Sequence, residues 1–251
     1  MLSRIFTNAW ASTPERFTIA AVATASFALL ARAVRGVTWS GSLGGGVACF
    51  LLFAGAGPGA FGTLAALFAT TWVSTRTGFR RKQELGLAER QDGRGAKQVL
   101  ANLAVAATSA LFFGVTGNGV WLVALVGALA EAATDTVASE VGQSRQADAL
   151  MITTGKRVPA GTDGGITSLG TLTGLAAGVV ISAAGAGCGL VAWHDAWIPV
   201  TSGFGGMIVD SLMGATIQRR GWISNQGVNL VATLVAATIS CALAFGKGSL
   251  P

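Results

Sequence analysis

Four stretches of this chain, residues 36–75, 98–130, 164–194 and 221–246, contain no Asp, Glu, Lys or Arg. A helix needs about 20 apolar residues to cross a hydrocarbon core, so each stretch can cross once and the first two can cross twice. Glycine-rich breaks fall where paired crossings need them, at residues 55–59 (GAGPG) and 114–119 (GVTGNG). Only 11% of the 251 residues are charged and 51% are apolar, against about 25% charged in soluble domains. A soluble globular fold is thereby excluded. The pattern predicts an all-α, polytopic transmembrane helix bundle of about eight helices, over 16–34, 37–55, 59–77, 97–115, 119–141, 165–187, 197–217 and 224–245. The first apolar run is short, and without it seven helices remain. Arg4 and Arg16 do not form the charged start of a cleaved leader, so this run reads as a retained helix.

Basic residues set the expected orientation. Fourteen fall on one side, namely Arg32, Arg35, the seven between Arg76 and Lys97, Arg145, Lys156, Arg157, Arg219 and Arg220. Only Arg4, Arg16 and Lys247 fall on the other. The positive-inside rule then places the fourteen-residue side in the cytoplasm or its equivalent, with both termini on the non-cytoplasmic side. The net charge of +6 is explained mainly by topology, with a part left to grip an anionic substrate, and no nucleic-acid partner is expected. Cys49, Cys188 and Cys241 stand singly in apolar runs and read as packing residues. His194, between Trp193 and Trp197, reads as part of an interfacial aromatic belt.

Glycine is abundant, at 36 residues, and small-residue spacing lets membrane helices approach closely. Carboxylates inside such helices are a different matter. Each costs roughly 2.5–3.5 kcal/mol near the bilayer centre, so Glu131, Asp135 and Glu140 in "AEAATDTVASEVG" (130–142) need partners or a purpose. Glu131, Asp135 and Ser139 share a helix face at i, i+4, i+8, whereas Glu140 is rotated away and groups with Thr136. Asp135, Asp210 in "GGMIVDSLMGATIQ", Asn102 and Asn229 fall in one layer about 8–10 Å below the expected basic ends of four helices. Such oxygens suit Mg²⁺, which typically takes one or two carboxylates together with substrate phosphates. They also suit simple hydrogen bonding between helices. In the loop over 142–170, Lys156 and Arg157 precede a glycine turn, "GTDGG", that opens the sixth helix. Free backbone N–H groups there make an anion site, or the loop is only a basic turn.

Five blocks carry a resemblance. "KQVLAN" (97–102), "ATDTVASEVG" (133–142), "ITTGKRVPAGTDGGITSLGT" (152–171), "DSLMGATIQ" (210–218) and "NQGVN" (225–229) look like the polytopic membrane family of the chloroplast phytyl-phosphate kinase of the vitamin E pathway and animal transmembrane protein 19. It covers about residues 36–245 of a single integral membrane domain spanning 1–251, with residues 1–35 as an extra helix. Membership implies a kinase that phosphorylates a prenyl monophosphate such as phytyl or geranylgeranyl phosphate, in a bacterial inner membrane or plastid membrane. The acidic block is similar to that of CTP-dependent polyprenol kinases, which implies CTP, or another nucleoside triphosphate, as donor. Carried over, the blocks fall on Asp135, Thr136, Ser139 and Glu140, on Gly155, Lys156, Pro159, Gly161, Thr162, Gly164 and Gly165, and on Asp210, Ser211, Gly214, Gln218, Asn225 and Asn229. Val137, Asp163 and Gln226 depart from the family pattern.

The expected scheme holds the triphosphate with Lys156, Arg157 and the turn carrying Gly161, Thr162, Gly164 and Gly165. Ser139, Asn225 and Asn229 stand beside it. Mg²⁺ sits on Asp135 and Asp210, with Glu131 or Glu140 as a third carboxylate. The acceptor monophosphate is held by Arg94, Lys97 and Asn102. Asp135, Asp210 and Glu140 are the expected catalytic set. Two alternatives stand beside it: a cytidylyltransferase acting on a lipid phosphate, and a transporter of an anionic lipid or phosphate.

Overall fold

The computed structural model describes residues 14–89, 91–145 and 148–247; Arg4 and Arg90, two of the basic residues counted above, lie outside them. Eight long helices form at the expected places: α1 (Arg16–Ala33), α2 (Trp39–Ala56), α3 (Pro58–Arg76), α5 (Ala96–Thr116), α6 (Val120–Arg145), α7 (Ser168–Gly187), α8 (Trp197–Met213) and α9 (Asn225–Gly246). A short helix, α4 (Phe79–Glu84), lies between α3 and α5. Local chemistry sets the boundaries. The hydroxyls of Thr38, Thr167 and Ser224 accept from the backbone N–H groups of Gly41, Gly170 and Gly227 and cap α2, α7 and α9. Gly57, at φ 82°, turns α2 into α3, whose first residue is Pro58.

Six of these helices are long and apolar enough to cross a membrane; α3 and α8 are not among them. For α8 the shortfall is length, 17 residues. The 19-residue α3 falls short in apolarity, with five Thr or Ser residues and Arg76 along it.

The acidic helix α6 is the hub. It packs against α3, α5, α7, α8 and α9, and its residues from Val120 to Thr134 are buried apart from Trp121. Small residues allow this enclosure: a Cβ on Gly174 would lie 2.6 Å from the Thr134 carbonyl oxygen, so α7 rides on the α6 backbone. The carboxylates of α6 therefore face protein and not lipid.

Alternating helix directions bring the basic loops to one end, where Gly78 meets Ser144, Gly142 meets Thr167 and Gly164 meets Ala215. The opposite end carries the contact of Gly59 with Cys188 and the ion pair of Asp195 with Lys247. His194 is exposed there beside Trp193 and Trp197, as an interfacial belt requires.

The loop after α6 holds structure that hydropathy does not register. Strands β1 (Asp148–Met151), β2 (Arg157–Pro159) and β3 (Gly165–Ile166) form an antiparallel sheet in the order β2-β1-β3. Leu150 stands opposite both Arg157 and Ile166. Burial alternates along β1, with Ala149 and Met151 inside and Asp148 and Leu150 outside.

Candidate functional site

Two cavities open on either side of α6 near the basic end. The polar one, about 140 Å³, is walled by Asp135 and Ser139 of α6, by residues 161–165, by Thr167 and Thr171 of the α7 start, by Asp210 and Ser211 of α8, and by Gln218 and Asn225. The apolar one, about 360 Å³, lies between α1, α2, α3 and α5. Phe27, Phe68, Trp72 and three glycines of α2 line it, and Arg35, Arg76, Arg94 and Asn102 stand among its polar residues. Thr136, the residue after Asp135, faces this second cavity. One helix turn is thus the wall between them.

The polar cavity is acidic, with Asp135, Asp163 and Asp210 on its wall and, among the described residues, no Lys or Arg. Asp210 interacts electrostatically with both Asp135 and Asp163, and Glu131 with Asp135 and Asp210. Glu131 is almost wholly buried, one α6 turn deeper than Asp135, and a Cβ on Gly206 of α8 would come within 2.5 Å of its Cγ. Both Glu131 oxygens and Oδ2 of Asp210 are buried without a hydrogen-bond partner. Buried anionic oxygens without donors fit a hard cation. Among the described residues, however, no group of three or more His, Cys, Asp or Glu side chains is placed to hold a metal. The expected set of Asp135, Asp210 and Glu131 is therefore not a ready three-carboxylate cage, and phosphate oxygens would have to complete a coordination shell around the Asp135 and Asp210 pair.

Other expected residues are placed as follows. Gly161, Thr162, Gly164, Gly165, Ser139 and Asn225 line the polar cavity, and Arg94 and Asn102 the apolar one. Asn229 donates to Oδ1 of Asn102 at 3.2 Å, tying α9 to α5. Lys97 is exposed on the first turn of α5. Lys156 and Arg157 reach neither cavity. For Arg157 the reason is the strand period, since Val158 pairs with Ala149 on the inner face, which sends Arg157 outward to within 3.9 Å of Asp148; Lys156 lies before β2, at the end of the exposed turn over 153–156. The glycine turn is also only partly free, because the Thr162 and Gly165 N–H groups donate to Pro159 and Thr162 carbonyls.

Glu140 is held by Lys82, Thr75 and Arg94 at the side of α6 facing α3. It belongs to a basic cluster and not to the acidic cavity. Lys82 and Thr75 were not singled out in the sequence: Lys82 is one of six charged residues in "RRKQE" and "ER", and nothing in that run marks it as the one that becomes fully buried.

Gly164 seats the turn. It has φ 76°, and a Cβ there would lie 2.4 Å from Cβ of Ala215. Gly164→Ala is expected to cost about 1–3 kcal/mol through strain and overpacking. Gly155, at φ 66° with open space around it, is the control. Thermal unfolding in detergent should show Gly155→Ala as the milder of the two.

These features define a polytopic integral membrane protein with a buried acidic helix between a polar and an apolar cavity. The chain belongs to the integral membrane protein family DUF92, whose model matches residues 22–237. It is 34% identical over 171 residues to an uncharacterized membrane protein of Synechocystis sp., covering 66% of each chain. It is 30% identical over 215 residues to one of Methanocaldococcus jannaschii, covering 84% of this chain and 87% of that one. Over 184 residues it is 27% identical to the chloroplastic protein VTE6 of Arabidopsis thaliana, covering 70% and 55%. The chain thus spans about two thirds of the length of the Synechocystis relative and just over half of VTE6. No solved structure matches the chain. The family resemblance read from the five blocks is borne out.

Proposed function

We propose that the protein is a prenyl-phosphate kinase, transferring the terminal phosphate of a nucleoside triphosphate, CTP by preference, to phytyl or geranylgeranyl monophosphate. The observation that carries this reading is the pair of cavities sharing the α6 wall, one acidic and polar, the other apolar with arginines among its lining. A prenyl tail fits the apolar cavity, and its phosphate fits Arg94, with Arg35 and Arg76 nearby. The similarity to VTE6 and the resemblance to the phytyl-phosphate kinase family point the same way. The basic end, with both cavities, faces the cytoplasm or its equivalent in this reading.

An oxygen of the acceptor monophosphate attacks the terminal phosphorus of the donor, the bond to the bridging oxygen breaks, and the nucleoside diphosphate leaves. The nucleophile is already anionic, so no strong base is needed; positioning and charge neutralisation carry the rate. Asp135 and Asp210 would hold Mg²⁺, which would supply neutralisation of the donor phosphate charge. Arg94 lines the acceptor cavity and interacts electrostatically with Asp135 across the wall, where the two phosphates would meet.

The test is turnover by purified protein with Mg²⁺, labelled CTP or ATP, and geranylgeranyl or phytyl phosphate. Label from the γ-phosphate in a prenyl diphosphate is the expected result. Label from the α-phosphate in lipid would replace the kinase with a cytidylyltransferase, and absence of turnover with every prenyl phosphate would overturn both. Tail recognition has its own test at Gly46, which lines the apolar cavity and whose Cβ would stand 3.6 Å from Ala28. Gly46→Leu is expected to raise KM for a twenty-carbon acceptor about 10-fold by filling the cavity, with less effect on a ten-carbon one.

A further inference from the structure

Lys82 is the one fully buried basic side chain among the described residues, and the scheme above gives it no work. Its ammonium ion-pairs with Glu140 and donates to the Thr75 carbonyl at 2.8 Å and the Ser74 carbonyl at 3.5 Å. Glu140 uses its other oxygen differently. Oε1 accepts from the Thr75 hydroxyl at 3.1 Å and lies 3.9 Å from Arg94 Nη2. That same guanidinium nitrogen also donates to the Thr75 hydroxyl at 3.4 Å, and Nε of Arg94 lies 3.7 Å from Glu89. Glu89 in turn accepts from Gln98 of α5 at 2.7 Å.

The order of contacts runs from Lys82 through Glu140 and Thr75 to Arg94, the guanidinium at the wall between the cavities. An arginine side chain is long and has many rotamers, so a bound geometry needs fixing. Glu140 fixes it from α6 and Glu89 from the loop before α5. Without Lys82, Glu140 would be a partly buried carboxylate left with the Thr75 hydroxyl and an arginine nearly 4 Å away. Neither residue lines the polar cavity.

We infer that Lys82 and Glu140 are a positioning pair that holds the Arg94 guanidinium for the phosphate headgroup of the acceptor, and that Glu140 is not itself a ligand of metal or donor. This rests on the reading of the apolar cavity as the acceptor site. It assigns Glu140, which the sequence places in the catalytic set, to work through Arg94.

Binding of geranylgeranyl monophosphate, measured by calorimetry on the purified protein without nucleotide, tests it apart from turnover. The variants are Arg94→Ala, Glu140→Gln, their combination, and the uncharged pair Lys82→Met with Glu140→Gln, which keeps side-chain volume without stranding a charge. Glu140→Gln and the uncharged pair are each expected to weaken acceptor binding about 10-fold or more, the contribution of a hydrogen bond to a charged group. Binding of Mg²⁺ with CTP stays within about 2-fold, and Glu140→Gln adds nothing in the Arg94→Ala background, because residues that act as a unit are not additive. Unchanged acceptor binding in a folded uncharged pair would reduce Lys82 and Glu140 to structural roles. Weakened binding of Mg²⁺ with CTP in Glu140→Gln would restore Glu140 as a direct ligand. A wild-type protein that binds prenyl phosphate but transfers nothing would sink the kinase reading alone, and one that binds none overturns the inference.

Discussion

Asp135→Asn leaves the protein inserted and folded but transfers phosphate at least about 10³-fold more slowly, the scale lost when a principal charge-stabilising group is removed from an active site. The substitution keeps size and hydrogen-bonding capacity and removes one charge. Asp135 stands near Asp210 and Glu131, and the Arg94 guanidinium that attracts it keeps Glu140 and Glu89 as partners, so its loss relieves repulsion among desolvated carboxylates and does not strand a cation. Stability is therefore expected to hold or rise as activity collapses. Thermal unfolding and single-turnover transfer on the same preparation check the two halves, and activity within 10-fold of wild type would remove Asp135 from the chemistry. Asp210→Asn is expected to behave alike.

Lys82→Met has the opposite signature. It leaves Glu140, whose side chain is only 12% exposed, without its nearest cation, and leaves the Ser74 and Thr75 carbonyls without their shared donor. Breaking one side of a buried ion pair typically costs about 3–5 kcal/mol. Adding Glu140→Gln should recover most of that loss. Lys97→Met, at an exposed position on α5, is the reference and should change stability by less than about 0.5 kcal/mol. A Lys82→Met protein as stable as wild type would mean that the pair is worth no more than a surface contact.

Charge-free runs were enough to place six of the eight long helices, because crossing a membrane is a demand on length and apolarity that sequence displays directly, whereas α1 and α8 lie outside those runs and were read from shorter apolar stretches. Their ends were less legible. The helix expected over 119–141 continues to Arg145 as α6, since Gln143 and Ser144 are polar but helical; Asp135 then lies about 15 Å from the helix end, deeper than expected. The helix expected from residue 165 begins at Ser168, because Gly165 and Ile166 pair as β3. The candidate site was legible as chemistry and only partly as geometry. Asp135, Asp210 and the glycine turn could be grouped by depth and helical period. That Lys156 and Arg157 point away was not legible, because strands of two to four residues are too short to announce that Lys156 ends an exposed turn and that Arg157 opens β2 on its outer face. Lys82 was invisible for a related reason: which cation of a basic run becomes buried depends on where Gly78, at φ 60°, aims the short helix that follows.

The helices that do not meet the length and apolarity needed to cross a membrane, α3 and α8, carry Thr75, Arg76 and Asp210. Polarity that serves the cavities is polarity withheld from partitioning into lipid. Each sits beside α6, and α8 also lies against α7 and α9. During biosynthesis neither segment has much reason to leave water unaided, so their entry into the bilayer is a cooperative step that waits on its neighbours. The same residues that equip the protein for chemistry thus make its membrane integration dependent on the order in which its helices emerge.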